Sequence, residues 1–300
     1  MFNKITIIGC GLIGSSILRS IKKLKIAKTI NVFDKSKEVI TFLKKENLID
    51  EVKNINESAK DANLIILATP LSAYKEILLS IKDVLKKDTI ITDTGSAKKE
   101  INKIIKNLNL KDISWIASHP IAGTEESGPQ AGFPELFKNR WCIISPSDNS
   151  KKEDIEKINL FWEKLGCKVK TMSFEEHDHI LSLTSHLPHA IAYNLVRTAI
   201  NNQDKFRKEI IQYSAGGLRD FTRIAASDPI MWKDIFKDNG ENIIKALDNF
   251  SDNLIELKKA IEEKNDSKLI EIFSKTKDVR KEIIKAGQDT AKPDFGRKKD

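Results

Sequence analysis

The stretch ASHPIAGTEESGPQAG, residues 117–132, sets His119 at the end of an apolar run and follows it with Pro120 and a glycine-punctuated loop. Imidazole has an ordinary pKa suited to proton transfer near neutrality, so His119 is a candidate general base. The alternative is a core histidine with capped ring nitrogens. The other four histidines fall within 177–189. His177 and His179 are two apart and do not face each other on a helix. His186 and His189 share a face. With Ser182, Ser185 and Tyr193 they form a polar stripe on a helix otherwise carrying Leu181, Leu183, Leu187 and Ile191. No third ligand stands at a helpful spacing for zinc, so no metal is expected and the stripe is assigned to a substrate pocket. GGLRDFTRIAASDP, 216–229, carries two of the chain's eight arginines, in a protein with 51 basic residues. Choosing arginine over lysine suits planar, bidentate recognition of a carboxylate. An ion pair with Asp220 or Asp228 explains Arg219 more readily than Arg223.

These groups need a scaffold, and the N-terminus supplies a second kind of site. Gly9-Cys10-Gly11-Leu12-Ile13-Gly14 follows a strand-like run and opens a helical pattern, with Asp34 twenty positions beyond Gly14. G-x-G-x-x-G alone is a weak signal; the strand, the helix and the acidic residue give it the context of dinucleotide binding. Glycines permit a tight turn and close backbone approach, so a pyrophosphate can sit on the helix N-terminus. Asp34 accepts from the ribose hydroxyls and repels a 2′-phosphate, which favours NAD over NADP. ATP (68–70) and DTGSAK (93–98) end further strands, making Thr69, Thr94 and Ser96 nicotinamide-side neighbours, with Ser96 equally a helix N-cap. His119 leaves its strand at the same edge.

The positioning elements alternate. KITII (4–8), TINVF (29–33), NLIILA (63–68), TIITD (89–93), SWIAS (114–118), WCIIS (141–145) and CKVKTM (167–172) are predicted strands, with amphipathic helices clearest at 72–86 and 152–165. This alternation predicts a largely parallel sheet covered on both faces. The pattern changes at SFEEHD, where Ser173 and Glu176 form a capping box opening a long helical stretch. Ile243, Leu247, Phe250, Leu254, Leu257 and Ile261 repeat at four and three, the seam of a helix packed lengthwise on another, with Leu269, Ile272, Thr276, Val279 and Ile283 as its partner. The expected organisation is an α/β Rossmann-type N-terminal domain, 1–172, and an all-α helical C-terminal dimerisation domain, 173–300, ending in a frayed tail.

Composition bounds the rest. No run of eighteen apolar residues occurs, and the N-terminus lacks the features of a signal peptide, so no membrane partner is expected. Three scattered cysteines suit a reducing cytoplasm. The net charge of +8 comes from lysines spread over the whole chain, the pattern of a solvated surface and not of a nucleic-acid site.

GCGLIG, DTGSAK, SHPIAGTEESG, LTSHLPHAIA and GLRDFTRIAASDPIMW, in that order, resemble the prephenate/arogenate dehydrogenases of tyrosine biosynthesis over about residues 4–290. The resemblance implies NAD-dependent oxidative decarboxylation of a cyclohexadienyl substrate, prephenate or arogenate, by a homodimer joined through its helical parts. It implies that His119 hydrogen-bonds the ring hydroxyl, that Ser96 positions that histidine or the hydroxyl, and that Arg223 grips a carboxylate. His189, Thr124 and Glu125 would line the side-chain end of the pocket, and Trp232 would close it from its own or the partner subunit. Two rivals are weighed. β-Hydroxyacid dehydrogenases of similar layout use a catalytic lysine, absent from the polar stripe; a non-catalytic NAD-binding sensor would not need His119, Ser96 and Arg223 together.

Overall fold

Seven short runs rich in isoleucine, valine and threonine form the seven strands of one sheet in a computed structural model that describes residues 1–51, 53–110, 112–124, 126–201 and 206–286. They are β1 (Phe2–Ile8), β2 (Ala27–Phe33), β3 (Leu64–Leu67), β4 (Ile90–Asp93), β5 (Ser114–Pro120), β6 (Trp141–Pro146) and β7 (Lys168–Thr171), in the order β2-β1-β3-β4-β5-β6-β7. β3, β4 and β5 are buried at every residue, as strands covered on both faces must be. One core forms under α1 (Leu12–Leu24), α2 (Lys37–Lys45) and α6 (Lys152–Lys164). The other forms under α3 (Ile55–Ala59), α4 (Tyr74–Ile81) and α5 (Lys99–Leu108). Adjacent residues alternate between them: Ile7 enters the first core and Ile8 the second.

The sheet is parallel except where β5 meets β6. The cause is the connection. A parallel crossover needs a helix-sized return, and the described residues of 121–140 provide one 3₁₀ turn, Pro129–Ala131. β6 therefore runs back beside β5, and the α6 crossover restores parallel pairing between β6 and β7. The helix expected over 72–86 is an α-helical centre with 3₁₀ turns at each end.

β7 leads directly into α7 (Phe174–Leu181). The Ser173 hydroxyl accepts from Glu176 N at 3.1 Å, and the Glu176 carboxylate accepts from Ser173 N at 2.8 Å, completing the capping box. A π-helical turn at Ser182–His186 joins α7 to α8 (Leu187–Asn201). α9 (Arg207–Gln212), α10 (Gly216–Thr222) and α11 (Pro229–Asp238) follow.

By contacts the chain divides into two compact units, Met1–Ile243 and Ile244–Asp300. α12 (Gly240–Glu262) begins in the first unit. In the second, a turn through Lys264 and Asn265 leads from α12 into α13 (Asp266–Lys285), and Lys268 reaches back to Glu256 at 2.9 Å. The expected apolar seam is there but only part-covered: Leu257, Leu269 and Ile272 are half-buried, whereas Leu254, Ile261, Val279 and Ile283 stay exposed, as do Ile255, Ile270 and Phe273. No helix among the described residues is long and apolar enough to cross a membrane.

Candidate active site

The dinucleotide turn has the geometry its glycines foretell. Gly9 sits at φ +90°, where an L side chain is strained, and a Cβ there would lie 2.6 Å from the Ala68 carbonyl oxygen. A Cβ on Gly14 would lie 2.0 Å from the Gly9 carbonyl, so α1 packs on the turn only with glycine. At Gly11 a Cβ would meet nothing within 4 Å. Open space thus lies over the first turn of α1, which begins at Leu12 and Ile13 and whose N-cap, Gly11, makes no side-chain cap bond. Free amides beneath open space fit a pyrophosphate. Asp34, just past β2, accepts from Cys10 N at 2.7 Å with one carboxylate oxygen and from Ser36 N at 2.8 Å with the other. A carboxylate has about four acceptor sites, so two remain for ribose hydroxyls. Thr69 and Thr94 follow β3 and β4 at the same edge; Thr94 N donates to Leu67 O at 3.0 Å.

His119 lies inside β5, which runs two residues further than its sequence pattern, to Pro120. The ring is buried, and Nδ1 lies 2.8 Å from His177 Nε2. His177 Nδ1 in turn lies 2.8 Å from Asp178 Oδ1. Asp178 also accepts from Lys98 N and Lys99 N, both at 2.9 Å, so it holds the start of α5 as well as the histidine. A carboxylate engaged in this way only accepts. His177 therefore carries its proton on Nδ1, and its Nε2 lone pair accepts from His119 Nδ1–H. That leaves Nε2 of His119 unprotonated: the chain of bonds selects the tautomer that can act as a base. Burial, the neighbouring His177 ring and the Lys98 ammonium hold the His119 pKa well below its ordinary value, so the imidazole is neutral at pH 7. Burial likewise lowers His177, against the opposing pull of Asp178.

Beneath this chain lies a buried ion pair. Lys98 Nζ donates to Asp93 Oδ2 and to Ser118 O, both at 2.6 Å, with Lys98 and Asp93 side chains wholly inaccessible. Asp93 also accepts from Ser118 N (2.9 Å), Gly95 N (2.9 Å) and Tyr74 Oη (3.1 Å). Hydrogen bonds beyond the pair itself, on both partners, are what make such a pair tolerable in a core. It ties the ends of β4 and β5 together next to His119.

Ser96 is half-buried with its backbone facing His186; among the described residues its hydroxyl makes no hydrogen bond to His119. His186 is fully buried, its pKa lowered to about 4 mainly by that burial. His189 Nδ1–H donates to Ser185 O at 2.8 Å, and the ring stacks on Trp232 with centroids 3.7 Å apart. Trp232 is buried within its own chain, with His186 edge-on at 6.0 Å. Arg223 is exposed on a 3₁₀ turn, Arg223–Ala226; burial lowers the His189 pKa, and the Arg223 charge adds to that lowering. Arg219 pairs with Asp220 at 3.2 Å. Thr124 is exposed, its hydroxyl accepting from Glu126 N. Glu125 lies outside the described residues.

Sequence reasoning missed His177, Asp178 and Lys98. A signal was available: Phe174, His177, Asp178 and Leu181 follow the i, i+3, i+4, i+7 spacing of a buried face, and all four are buried. A histidine and an aspartate on such a stripe must find partners. Among the described residues, no three His, Cys, Asp or Glu side chains come together as a metal-binding group.

Comparison with known proteins matches two family models, "Prephenate dehydrogenase, nucleotide-binding domain" over residues 17–171 and "Prephenate dehydrogenase, dimerization domain" over 173–275. Cyclohexadienyl dehydrogenase of Zymomonas mobilis is 40% identical over 281 residues, covering 93% of this chain and 96% of that one. Prephenate dehydrogenase of Bacillus subtilis is 30% identical over 285 residues, 93% of this chain and 76% of its own. Among solved structures, prephenate dehydrogenase from A. aeolicus in complex with hydroxyphenyl propionate and NAD+ superimposes with a TM-score of 0.87 at 33% identity, over 94% of this chain and 99% of that one. Likeness of this extent, through both halves of the chain, makes it a member of the prephenate dehydrogenase family.

Proposed function

We propose that this chain catalyses the NAD-dependent oxidative decarboxylation of prephenate to 4-hydroxyphenylpyruvate, or of arogenate to tyrosine, as a homodimer. The observation that carries the reading is the His119–His177–Asp178 chain of 2.8 Å bonds, with Nε2 of a neutral His119 left as the base. Bound NAD supplies the hydride acceptor. His119 accepts the proton of the ring hydroxyl as the carbinol carbon is oxidised, loss of the carboxylate from the para carbon, as CO2, completes an aromatic ring, and the resulting phenolate takes the proton back from His119. Aromatisation drives the step, so the protein's work is orientation, charge placement and exclusion of water.

In this reading Gly9, Gly11, Leu12, Ile13, Gly14 and Asp34 hold the adenosine and pyrophosphate, and Thr69 and Thr94 flank the nicotinamide. Ser96 serves the ring hydroxyl from its place beside His186. Arg223 and His189 receive a substrate carboxylate, with Trp232 stacked behind His189; Thr124 and Glu125 belong to the same end. We assign residues 1–172 to cofactor binding and 173–300 to substrate binding and dimerisation. Support comes from the two family models, which meet between 171 and 173. The contact-defined unit extends to Ile243 because α7 and α11 contribute Phe174, Trp232 and Ile235 to a core of the sheet. Three free, buried thiols support a cytoplasmic location. Initial rates with prephenate and arogenate, each with NAD and NADP, test the reading; no turnover of either substrate overturns it.

A further inference from the structure

One carboxylate joins α11 to the turn that follows β3. After β3 the chain runs through Ala68, Thr69 and Pro70 into a 3₁₀ turn, Leu71–Ala73. The cap position falls to Pro70, which makes no side-chain cap bond. The first amides of the turn therefore need an outside acceptor. Asp234 of α11, 162 residues away in sequence, supplies it: Asp234 Oδ2 accepts from Ser72 N at 3.1 Å and from Ser72 Oγ at 2.6 Å. Its other oxygen lies 3.0 Å from Lys233 Nζ. Asp234 is 3% exposed. Burial alone would raise its pKa, but the bonds from Ser72 and Lys233 outweigh burial and lower it, so the group is a carboxylate at pH 7.

Both ends of this link reach the reaction. A Cβ on Gly9 would lie 2.6 Å from Thr69 Cγ2, and one on Gly95 would collide with the Leu71 side chain. The turn thus lies against the dinucleotide turn and against the loop after β4. On α11, Trp232 stands two residues before Asp234 and stacks on His189. Leu71, Trp232 and Ile235 share one core. Apolar contact of that kind has no direction, whereas two donors from Ser72 meeting a single oxygen fix the register of helix and turn.

We propose that Asp234 is a positioning residue for hydride transfer: by fixing the Thr69–Ser72 turn to α11, it sets the nicotinamide against the substrate held beside His189 and Trp232. The inference rests on the placement of Thr69 at the nicotinamide given above. Asp234→Ala, Asp234→Asn and Ser72→Ala are compared in steady-state kinetics with the substrate the wild type turns over. Calorimetric titration with NAD and with ADP-ribose, which lacks the nicotinamide, and thermal unfolding accompany them. In Asp234→Ala kcat should fall by about ten-fold to 10²-fold, the penalty for misplacing reacting groups by up to roughly 1 Å. ADP-ribose affinity should stay as in the wild type, because the glycine turn and Asp34 are untouched. Asp234→Asn should recover most of the loss, since its amide oxygen still accepts from Ser72. Ser72→Ala removes one of the two bonds and should fall between; combined with Asp234→Ala it should cost little more, because both act on one contact. Wild-type kcat in Asp234→Ala, Asp234→Asn as slow as the alanine variant, or ADP-ribose affinity and thermal stability lost in step with kcat overturns the proposal. If Asp234→Ala does not fold, unchanged kcat in Ser72→Ala overturns it. A wild type that turns over neither substrate overturns the assigned reaction and this proposal with it; an active wild type with unaffected variants overturns this proposal alone.

Discussion

Asp178→Asn separates a base that is merely present from one held in its working tautomer. Asp178 accepts three N–H groups: His177 Nδ1–H and Lys98 N–H at one oxygen, Lys99 N–H at the other. Asparagine fills the same space but must face one of them with its own NH2. With the amide oxygen toward His177 and Lys98, the clash falls on Lys99 N–H. Turned over, the NH2 opposes Lys98 N–H and donates to His177, which then carries its proton on Nε2. His119 must then accept at Nδ1 and carry its proton on Nε2, which disables it as a base. Each orientation leaves one amide unmatched, so the two are close in energy and both should be populated.

The charge contributes separately. Two 2.8 Å bonds with an imidazole between them put Asp178 roughly 8 Å from the His119 ring; at an effective dielectric of about 20 a unit charge there is worth about 2 kcal/mol to a forming imidazolium, about thirty-fold in rate. General-base catalysis as a whole is typically worth roughly 10²–10⁴-fold. Asp178→Asn should therefore lower kcat by between about 30-fold and 10⁴-fold, with KM for NAD unchanged because the substitution does not touch the dinucleotide turn. Steady-state kinetics at pH 7.5, beside thermal unfolding to confirm the fold, makes the measurement. A folded Asp178→Asn enzyme within three-fold of wild-type kcat would refute the relay, and His119→Ala retaining near-normal turnover would remove His119 itself.

Because burial and the Lys98 charge hold His119 below its ordinary pKa, only its neutral form is present at pH 7, and kcat/KM should fall on acidification only below about 6.5; in His119→Asn that limb should vanish from the pH–rate profile. His186 titrates near 6.5 unfolded and about 4 folded, so the unfolded chain binds the extra proton in that window; stability is full above about pH 6.5 and falls by up to roughly 3 kcal/mol as pH drops to 4, a loss that urea unfolding of His186→Gln should show reduced. Asp34→Ser should narrow the kcat/KM preference for NAD over NADP by removing repulsion of the 2′-phosphate, and a wild type that favours NADP would dismiss the assignment. Arg223→Ala should raise substrate KM strongly with NAD affinity nearly intact, and Arg223→Lys should rescue only in part for want of the planar fork; unchanged KM with lost thermal stability would make Arg223 structural. Leu254→Asp places a carboxylate on the exposed apolar surface of α12 and should shift light-scattering mass from dimer toward monomer; an unaltered dimer places the interface elsewhere.

The strands were legible because a sheet covered on both faces leaves no room for polar alternation, so LIIL and SWIAS announce themselves by composition. The dinucleotide turn was legible because backbone constraints act locally: φ at Gly9 and the contact at Gly14 depend on a few neighbours. The reversal of β6 depends on what the described residues of the 121–140 connection lack, an α-helix, which a scan for elements passes over. The π turn at 182–186 escaped because apolar periodicity does not register one inserted residue. His177 escaped for a different reason. Its helical periodicity correctly marks a buried face, but its partner is 58 residues away, and spacing on one helix says nothing of what that face meets.

That separation bears on how the chemistry is divided along the chain. β5 supplies the base, yet the hydrogen bonds that fix its tautomer come from α7, beyond the change of pattern at residue 173, and Asp178 at the end of the relay also clamps the amides that begin α5. Lys98, at the start of that helix, sends its ammonium back to Asp93 and to the carbonyl of Ser118, the residue before His119. The circuit closes through four elements, β4, α5, α7 and β5, and each is held by a bond to the next. An imidazole on an isolated strand end would sample both tautomers and meet water. Here α7 must dock before His119 is committed to one tautomer and shielded, so assembly of the helical segment on the sheet is itself a condition for the base to exist.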